Sequence, residues 1–190
     1  MRKKVILLLT IVMTFGVAIQ LTACNSYNND IQMNLFSPEF VANHDASLAI
    51  LAEIQRSFPR TLSDNIIYPE FFGGAYIDVY GNLVILVTSN DYLDMFNDAR
   101  SSVTVRQVEF SYATLNSNLD IISEFLSENW ALDCITLSDC IIAKNIRAAY
   151  VDTINNRIVV YVSDVFQIDL FTEVVINHPS IEFVVTSDNL

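Results

Sequence analysis

The sequence predicts an α+β fold of two ββαβ repeats, each a small sheet with a helix. A long amphipathic helix joins the repeats, and an N-terminal helix precedes them. Three observations lead there. The stretch GGAYIDVYGNLVILVTS at 73–89 returns as RAAYVDTINNRIVVYVS at 147–163, 74 residues later. Each copy is followed by a short apolar-patterned segment and then a valine-rich run, at 103–110 and 181–185. Between the copies, residues 111–130 carry a helical apolar period. With 52% hydrophobic residues and only four glycines and four prolines, the chain has material for a packed core and little for flexible linkers.

Residues 1–23 stand apart from the fold. Arg2, Lys3 and Lys4 make a basic start, Val5 to Leu21 is almost wholly apolar, and Leu21-Thr22-Ala23-Cys24 follows. This pattern resembles the signal peptide of bacterial lipoproteins. The resemblance implies that the Cys24 thiol carries the lipid, that the chain is cut just before it, and that the protein sits on the bacterial cell membrane facing away from the cytoplasm. Two alternatives stay open: an uncleaved membrane helix, for which the run is slightly short of the roughly 20 residues a span needs, and an ordinary secretory signal ending at Ala23. Residues 24–36 are polar and weakly patterned, and read as a tether reaching on the order of 20 Å.

The folded elements follow in order. Ser37-Pro38-Glu39 opens a helix over 37–60, with a hydroxyl cap, a proline in the first turn and an acid near the positive end. Val41, Leu48, Leu51, Ile54 and Phe58 form its expected apolar stripe, and Pro59 ends it. The first ββαβ unit spans 71–110. Ala75–Ile77 and Leu83–Val87 are its hairpin strands, and Asp78-Val79-Tyr80-Gly81 fits a type I turn with Gly81 in the left-handed position. A short helix over Asp91–Arg100, capped by Ser89 or Asn90, leads to the strand Val103–Phe110. The connecting helix, 111–130, has Ser111 as its cap and Tyr112, Leu115, Leu119, Ile122 and Leu126 as its stripe. Residues 131–145 are expected to be a loop holding Cys134 and Cys140. The second unit, 146–190, repeats the first at the same offset: Asp152 stands for Asp78, Asn155 for Gly81 and Asn156 for Asn82. Its helix is expected to be capped by Ser163, with Phe166, Ile168, Phe171, Val174 and Val175 on one side, before the strand Ile181–Val185.

The runs LVILV and IVVYV do not alternate, so both faces of each second strand require cover. One helix per unit supplies one face. The other must pack on the sister unit, on a neighbouring helix or on another protein.

Charge excludes some partners. All 22 acidic residues follow Cys24 and three of the 10 basic ones precede it, so 7 − 22 leaves −15 on the processed chain. Nucleic acid is a poor partner for such a surface, and anionic headgroups repel it within a Debye length of about 10 Å.

Reactive chemistry is sparse. His44 and His178 are the two histidines, and neither has a nucleophile motif beside it. Glycines at 16, 73, 74 and 81 allow no phosphate-binding loop and no Gly-x-Ser-x-Gly elbow. Asp78 and Asp152 fall at equivalent turns and read as backbone caps. Asp91, Asp94 and Asp98 read as a solvated helix face. No catalytic residue, metal site or cofactor is expected. With Cys24 taken by lipid, Cys134 and Cys140 either bridge or stay as buried thiols.

FFGGAYIDVYGNLVILVTS, VRQVEFSYATL and AAYVDTINNRIVVYVSD together resemble the propeptide of bacterial alpha-lytic-protease-like and streptogrisin-like serine proteases, over about residues 70–186. Phe110-Ser111-Tyr112 takes the place of that family's Tyr-Ser-Tyr. The resemblance implies two small α/β subdomains whose second sheet pairs with a protease hairpin while the tail enters the cleft. The residues it turns toward a partner are Ile158, Val160, Val162, Ile181, Phe183, Val185 and Leu190, with an exported serine protease as the candidate partner. The chain stops where that protease would begin. The expected function is a non-catalytic binding lipoprotein, an inhibitor or assembly partner acting by strand addition. The alternatives are a surface structural lipoprotein of other specificity and the remnant of a protease precursor.

Overall fold

The computed structural model describes residues 37–97, 103–129 and 134–186. The expected signal segment and tether, with Cys24, and the tail 187–190 lie outside the described residues.

Helix α1 (Pro38–Arg56) begins as its sequence dictates: Phe40 N–H donates to Ser37 Oγ at 3.1 Å, and Pro38 and Glu39 occupy the first turn. The expected stripe holds only in its second half. Leu51 and Ile54 pack on the first core and Phe58 is buried, whereas Val41 and Leu48 are exposed. Polar Asn43 and Ser47 take the inward positions instead. They satisfy carbonyls of the first hairpin: Ser47 Oγ donates to Gly81 O at 2.8 Å and Asn43 Nδ2 to Tyr80 O at 3.2 Å.

The first sheet orders β1 (Phe72–Ile77), β2 (Leu83–Val87) and β3 (Val103–Gln107), with β1 antiparallel and β3 parallel to β2. A 3₁₀ turn (Asn90–Tyr92) and the short helix α2 (Leu93–Asn97) carry the chain across. Ser89 is the cap, its Oγ accepting from Asp91 N–H at 3.3 Å. The connecting helix, α3 (Tyr112–Asn129), starts where Thr114 N–H donates to Ser111 Oγ at 3.1 Å. Leu115 and Ile122 are fully buried in the second core, while Tyr112 packs on the first.

Residues 131–145 are not simply a loop. Helix α4 (Leu137–Asn145) occupies most of the segment, opened by a capping box: Asp139 N–H donates to Thr136 Oγ1 at 3.2 Å, and Thr136 N–H to Asp139 Oδ2 at 2.9 Å. A disulfide joins Cys134, ahead of the helix, to Cys140 within it.

The second sheet repeats the first: β4 (Ile146–Asp152) antiparallel and β6 (Ile181–Val185) parallel to central β5 (Arg157–Val162). A 3₁₀ turn (Val165–Gln167) and helix α5 (Ile168–Val174) form its crossover. The cap is Asp164, whose Oδ1 accepts from Phe166 N–H at 2.9 Å. Ser163 instead donates to Asn145, reaching its Oδ1 at 3.1 Å, because the C-terminus of α4 needs that closure. Phe171 is buried against Phe183, but Phe166 and Val174 are exposed, so the expected stripe is narrower than drawn.

The duplication is real and its spacing changes inside the turn. Phe72 pairs with Val87 and Ile146 with Val162, each pair followed by an irregularity one residue on. Leu83 pairs with Val103 and Ile158 with Ile181. The offset between copies is therefore 74 in the first strand and 75 in the second. Asn156, with φ 55°, is the counterpart of Gly81, with φ 86°. This corrects the assignment of Asn155 to Gly81 and Asn156 to Asn82. The left-handed backbone position selects Gly or Asn as expected, one residue later.

Candidate partner-binding surface

Cover for the two sheets differs. On the first, the inward side chains Leu83, Ile85 and Val87 join Ile50, Phe58, Phe72 and Phe96 in one core. On its opposite face, Val84 and Leu86 are also buried. The tip of the second hairpin lies there. A Cβ at Gly74 would come within 2.7 Å of Thr153 Cγ2, and Arg106 Nη2 donates to Ile154 O while its guanidinium stands over the Tyr76 ring. Beside the tip, Arg157 pairs with Glu109 at 3.0 Å. Asn156 is buried and closes the contact: its Oδ1 accepts from Phe110 N–H at 2.8 Å, and its Nδ2 donates to Phe110 O at 2.9 Å and Gly73 O at 3.4 Å. Of the three covers open to a second strand's far face, the sister unit is the one used by the first sheet.

The second sheet has a covered face and a partly open one, on which Val159 is buried among its neighbours. Ile158, Val160 and Val162 point into the core with Leu115, Ile122, Ile142 and Phe171. Their proposed role as contact residues is corrected: they are at most 1% exposed, and β5 is hydrogen-bonded on both flanks. Ile181 and Phe183 are half-buried against the same core, and Val185 is 50% exposed. Leu190 and Cys24 lie outside the described residues.

What β6 does offer is its outer edge. Ile158 N–H donates to Ser180 O and Thr186 N–H to Val162 O, both at 2.8 Å. In a parallel ladder the groups facing a neighbour alternate. Glu182 and Val184 therefore serve β5, and the N–H and C=O groups of Phe183 and Val185 point away from it. No further strand flanks β6 among the described residues. The open face of this sheet carries exposed Ala148 and Tyr150, with Tyr161 stacked on Tyr150 at 6.1 Å between ring centroids. Their hydroxyls are 3.5 Å apart. That contact, then burial and the nearby carboxylates of Asp152 and Glu182, raise the Tyr150 pKa above its ordinary value.

The remaining candidate groups have structural work. Asp78 Oδ1 accepts from the N–H groups of Tyr80 and Asn82 at 2.9 and 2.8 Å. Burial alone would raise its pKa, but these bonds, with the Asn82 side chain and Gly81, hold it below the usual carboxylate value. Asp152 caps the second turn in the same way through Asn155. His44 stacks on Phe40 within α1. His178 Nδ1 lies 2.8 Å from Ser180 Oγ, an arrangement that superficially suits a nucleophile and its base. Ser180 is fully buried, though, and Ser180 N–H donates to the same Nδ1 at 3.1 Å, so the pair closes the turn into β6. Among the described residues, no three His, Cys, Asp or Glu side chains gather to hold a metal ion, and no helix is long and apolar enough to cross a membrane.

Sequence reasoning missed Thr153, Ile154 and Arg106, the residues that seat one repeat on the other. Only the doubled asparagine of the turn signalled them. No curated protein matches the chain. The model of a family described as a Pro-like N-terminal domain matches residues 36–177, which takes in both hairpins and both crossovers. The propeptide-like architecture and that match agree, and the chain belongs to the Pro-like N-terminal domain family.

Proposed function

We propose that the protein is a non-catalytic binding lipoprotein, held outside the cytoplasm by lipid on Cys24, that engages an exported serine protease by adding a strand to its second sheet. The observation that carries this reading is the outer edge of β6, where Phe183 and Val185 direct backbone donors and acceptors away from β5. Such an edge is a template for an incoming strand. The propeptide-like family favours a protease as the owner of that strand. The Leu-Thr-Ala-Cys sequence at 21–24 supports the anchor.

Proline at 185 tests the edge without breaking the fold, because the Val185 N–H is not used by β5. The full chain should slow an exported trypsin-like protease of the same cell, and Val185→Pro should weaken that on the order of tenfold or more. Equal inhibition by both forms sinks the strand-addition reading; inhibition of no exported protease by either sinks the choice of partner. Intact mass of the N-terminal peptide reads the anchor: lipid on Cys24 supports it, and an unmodified Met1 start ends it.

A further inference from the structure

The two repeats use their equivalent parts unequally. The tip of the second hairpin, Thr153 and Ile154, sits on the far face of the first sheet. The first hairpin, whose turn is one residue shorter, presents Val79 and Tyr80 at the corresponding place, 83% and 70% exposed. The second sheet has the same receiving face: Ala148 stands where Gly74 does, Tyr150 for Tyr76, Tyr161 for Leu86 and Val184 for Arg106. Ala148 is exposed where Gly74 is buried, Tyr150 where Tyr76 is half-buried, and Tyr161 is half-buried where Leu86 is fully so, while Val159 and its counterpart Val84 are both buried. Among the described residues, each chain thus makes one tip-on-face contact internally, while α1 holds only the backbone of the first turn and leaves the Val79 and Tyr80 side chains, like Ala148 and Tyr150, exposed.

We infer that the exposed Val79–Tyr80 tip of one molecule docks on the Ala148–Tyr150–Tyr161–Val184 face of a second copy, reproducing between chains the contact that joins the repeats within one. This reading stands apart from the β6 edge, since it uses the face of the sheet.

The substitutions between the copies suit the switch from internal to external contact. In the internal contact the tip carbonyl of Ile154 requires a donor, and Arg106 supplies it. The tip carbonyl of Tyr80 already accepts from Asn43, and the corresponding position on the second sheet is apolar Val184. Thr153 is likewise replaced by Val79 at the free tip. The external contact thus gains Val79 for Thr153 and Val184 for Arg106, while Tyr80 for Ile154 and Tyr161 for Leu86 each keep a large ring and add a hydroxyl.

Such a contact is heterologous: tip meets face, so copies add head to tail until a ring closes or a chain runs on. A hairpin tip on a three-stranded face belongs with interfaces below about 1,200 Å², which are weak. Each copy carries net −12 as the full chain and −15 once processed, and Asp152 and Glu182 border the face, so salt strengthens the association by screening.

The test is sedimentation equilibrium of the full chain in detergent, with circular dichroism confirming that each variant folds. Val79→Asp removes the tip, Ala148→Arg fills the face, and the double variant has neither and sets the baseline for association through other segments. The expected result is concentration-dependent growth of the unchanged chain beyond that baseline, stronger in salt. Each single variant should weaken it on the order of tenfold or more. Mixing the two single variants should restore one contact and stop at dimers. Tyr80→Ser and Tyr150→Ser serve if either first variant misfolds. A chain no more associated than the double variant at every concentration, single variants that grow like the unchanged chain, or a mixture that stays monomeric would each overturn the inference.

Discussion

Asn156 holds both main-chain groups of Phe110, accepting from its N–H at 2.8 Å and donating to its carbonyl at 2.9 Å. The Phe110 ring is flanked in turn by the Arg157 guanidinium at 4.8 Å and the His178 ring at 5.4 Å. The exit of the first sheet and the turn of the second hairpin are therefore one structure, assembled from residues 46 apart. Asn suits the place twice over, since it tolerates φ 55° and its amide fits a paired donor and acceptor.

That double duty separates two substitutions. Asn156→Gly keeps the backbone conformation and strands the buried Phe110 groups, a loss of about 1 to 3 kcal/mol. Asn156→Ala adds a left-handed penalty of about 1 to 2 kcal/mol. Urea denaturation should rank them Ala below Gly below the unchanged protein. An alanine variant as stable as the glycine one would mean the turn relaxes out of the left-handed region.

Gly74 meets Thr153 with no room for a side chain and has φ 118°. Gly74→Ala should cost about 1 to 3 kcal/mol. Adding Thr153→Ser, which removes the facing methyl, should recover part of it, leaving the share due to backbone strain. A double-mutant cycle measures the coupling; simple additivity would show that the two residues do not touch.

Much of this was legible in the sequence, and the failures have physical causes. Ser37 and Ser111 cap as the sequence predicts, and Ser89 is the one of its two candidates that does, each serving its own neighbours; Asp164 replaces Ser163 as a cap because Ser163 is taken by Asn145. Asn43 and Ser47 broke the stripe of α1 because their partners lie 37 and 34 residues away. Helix α4 was overlooked although Thr136 and Asp139 spell a capping box, because its nine residues are too few to display a period. Burial of Ile158, Val160 and Val162 follows from a non-alternating strand, yet which strand is central depends on parallel pairing that local sequence does not specify.

The bridge between Cys134 and Cys140 closes a short loop at the start of α4. Replacing both cysteines by serine should lower stability by about 2 kcal/mol through the freed denatured chain. Differential alkylation should find no free thiol at either position in the unreduced, unfolded protein; two reactive thiols would refute the bridge.

Asp78 links stability to pH. Its folded pKa lies below the ordinary value, so its contribution is present above the unfolded carboxylate pKa of about 3.9 and fades as pH falls through the lower folded value. Asp78→Ala should therefore destabilise the protein at pH 7, with the difference narrowing progressively below about pH 4. Melting temperatures of both forms across that window check the sign, and a gap that widens in acid would reverse it.

The extra residue that shifts the copies from a 74- to a 75-residue spacing falls in a turn, outside either ladder. Placed a few positions later, it would have turned β5 inside out, sending Ile158, Val160 and Val162 to water and Val159 and Tyr161 to the core. The hairpin tip is thus where two ancestral twins could drift apart unpunished, and it is where they now clasp one another.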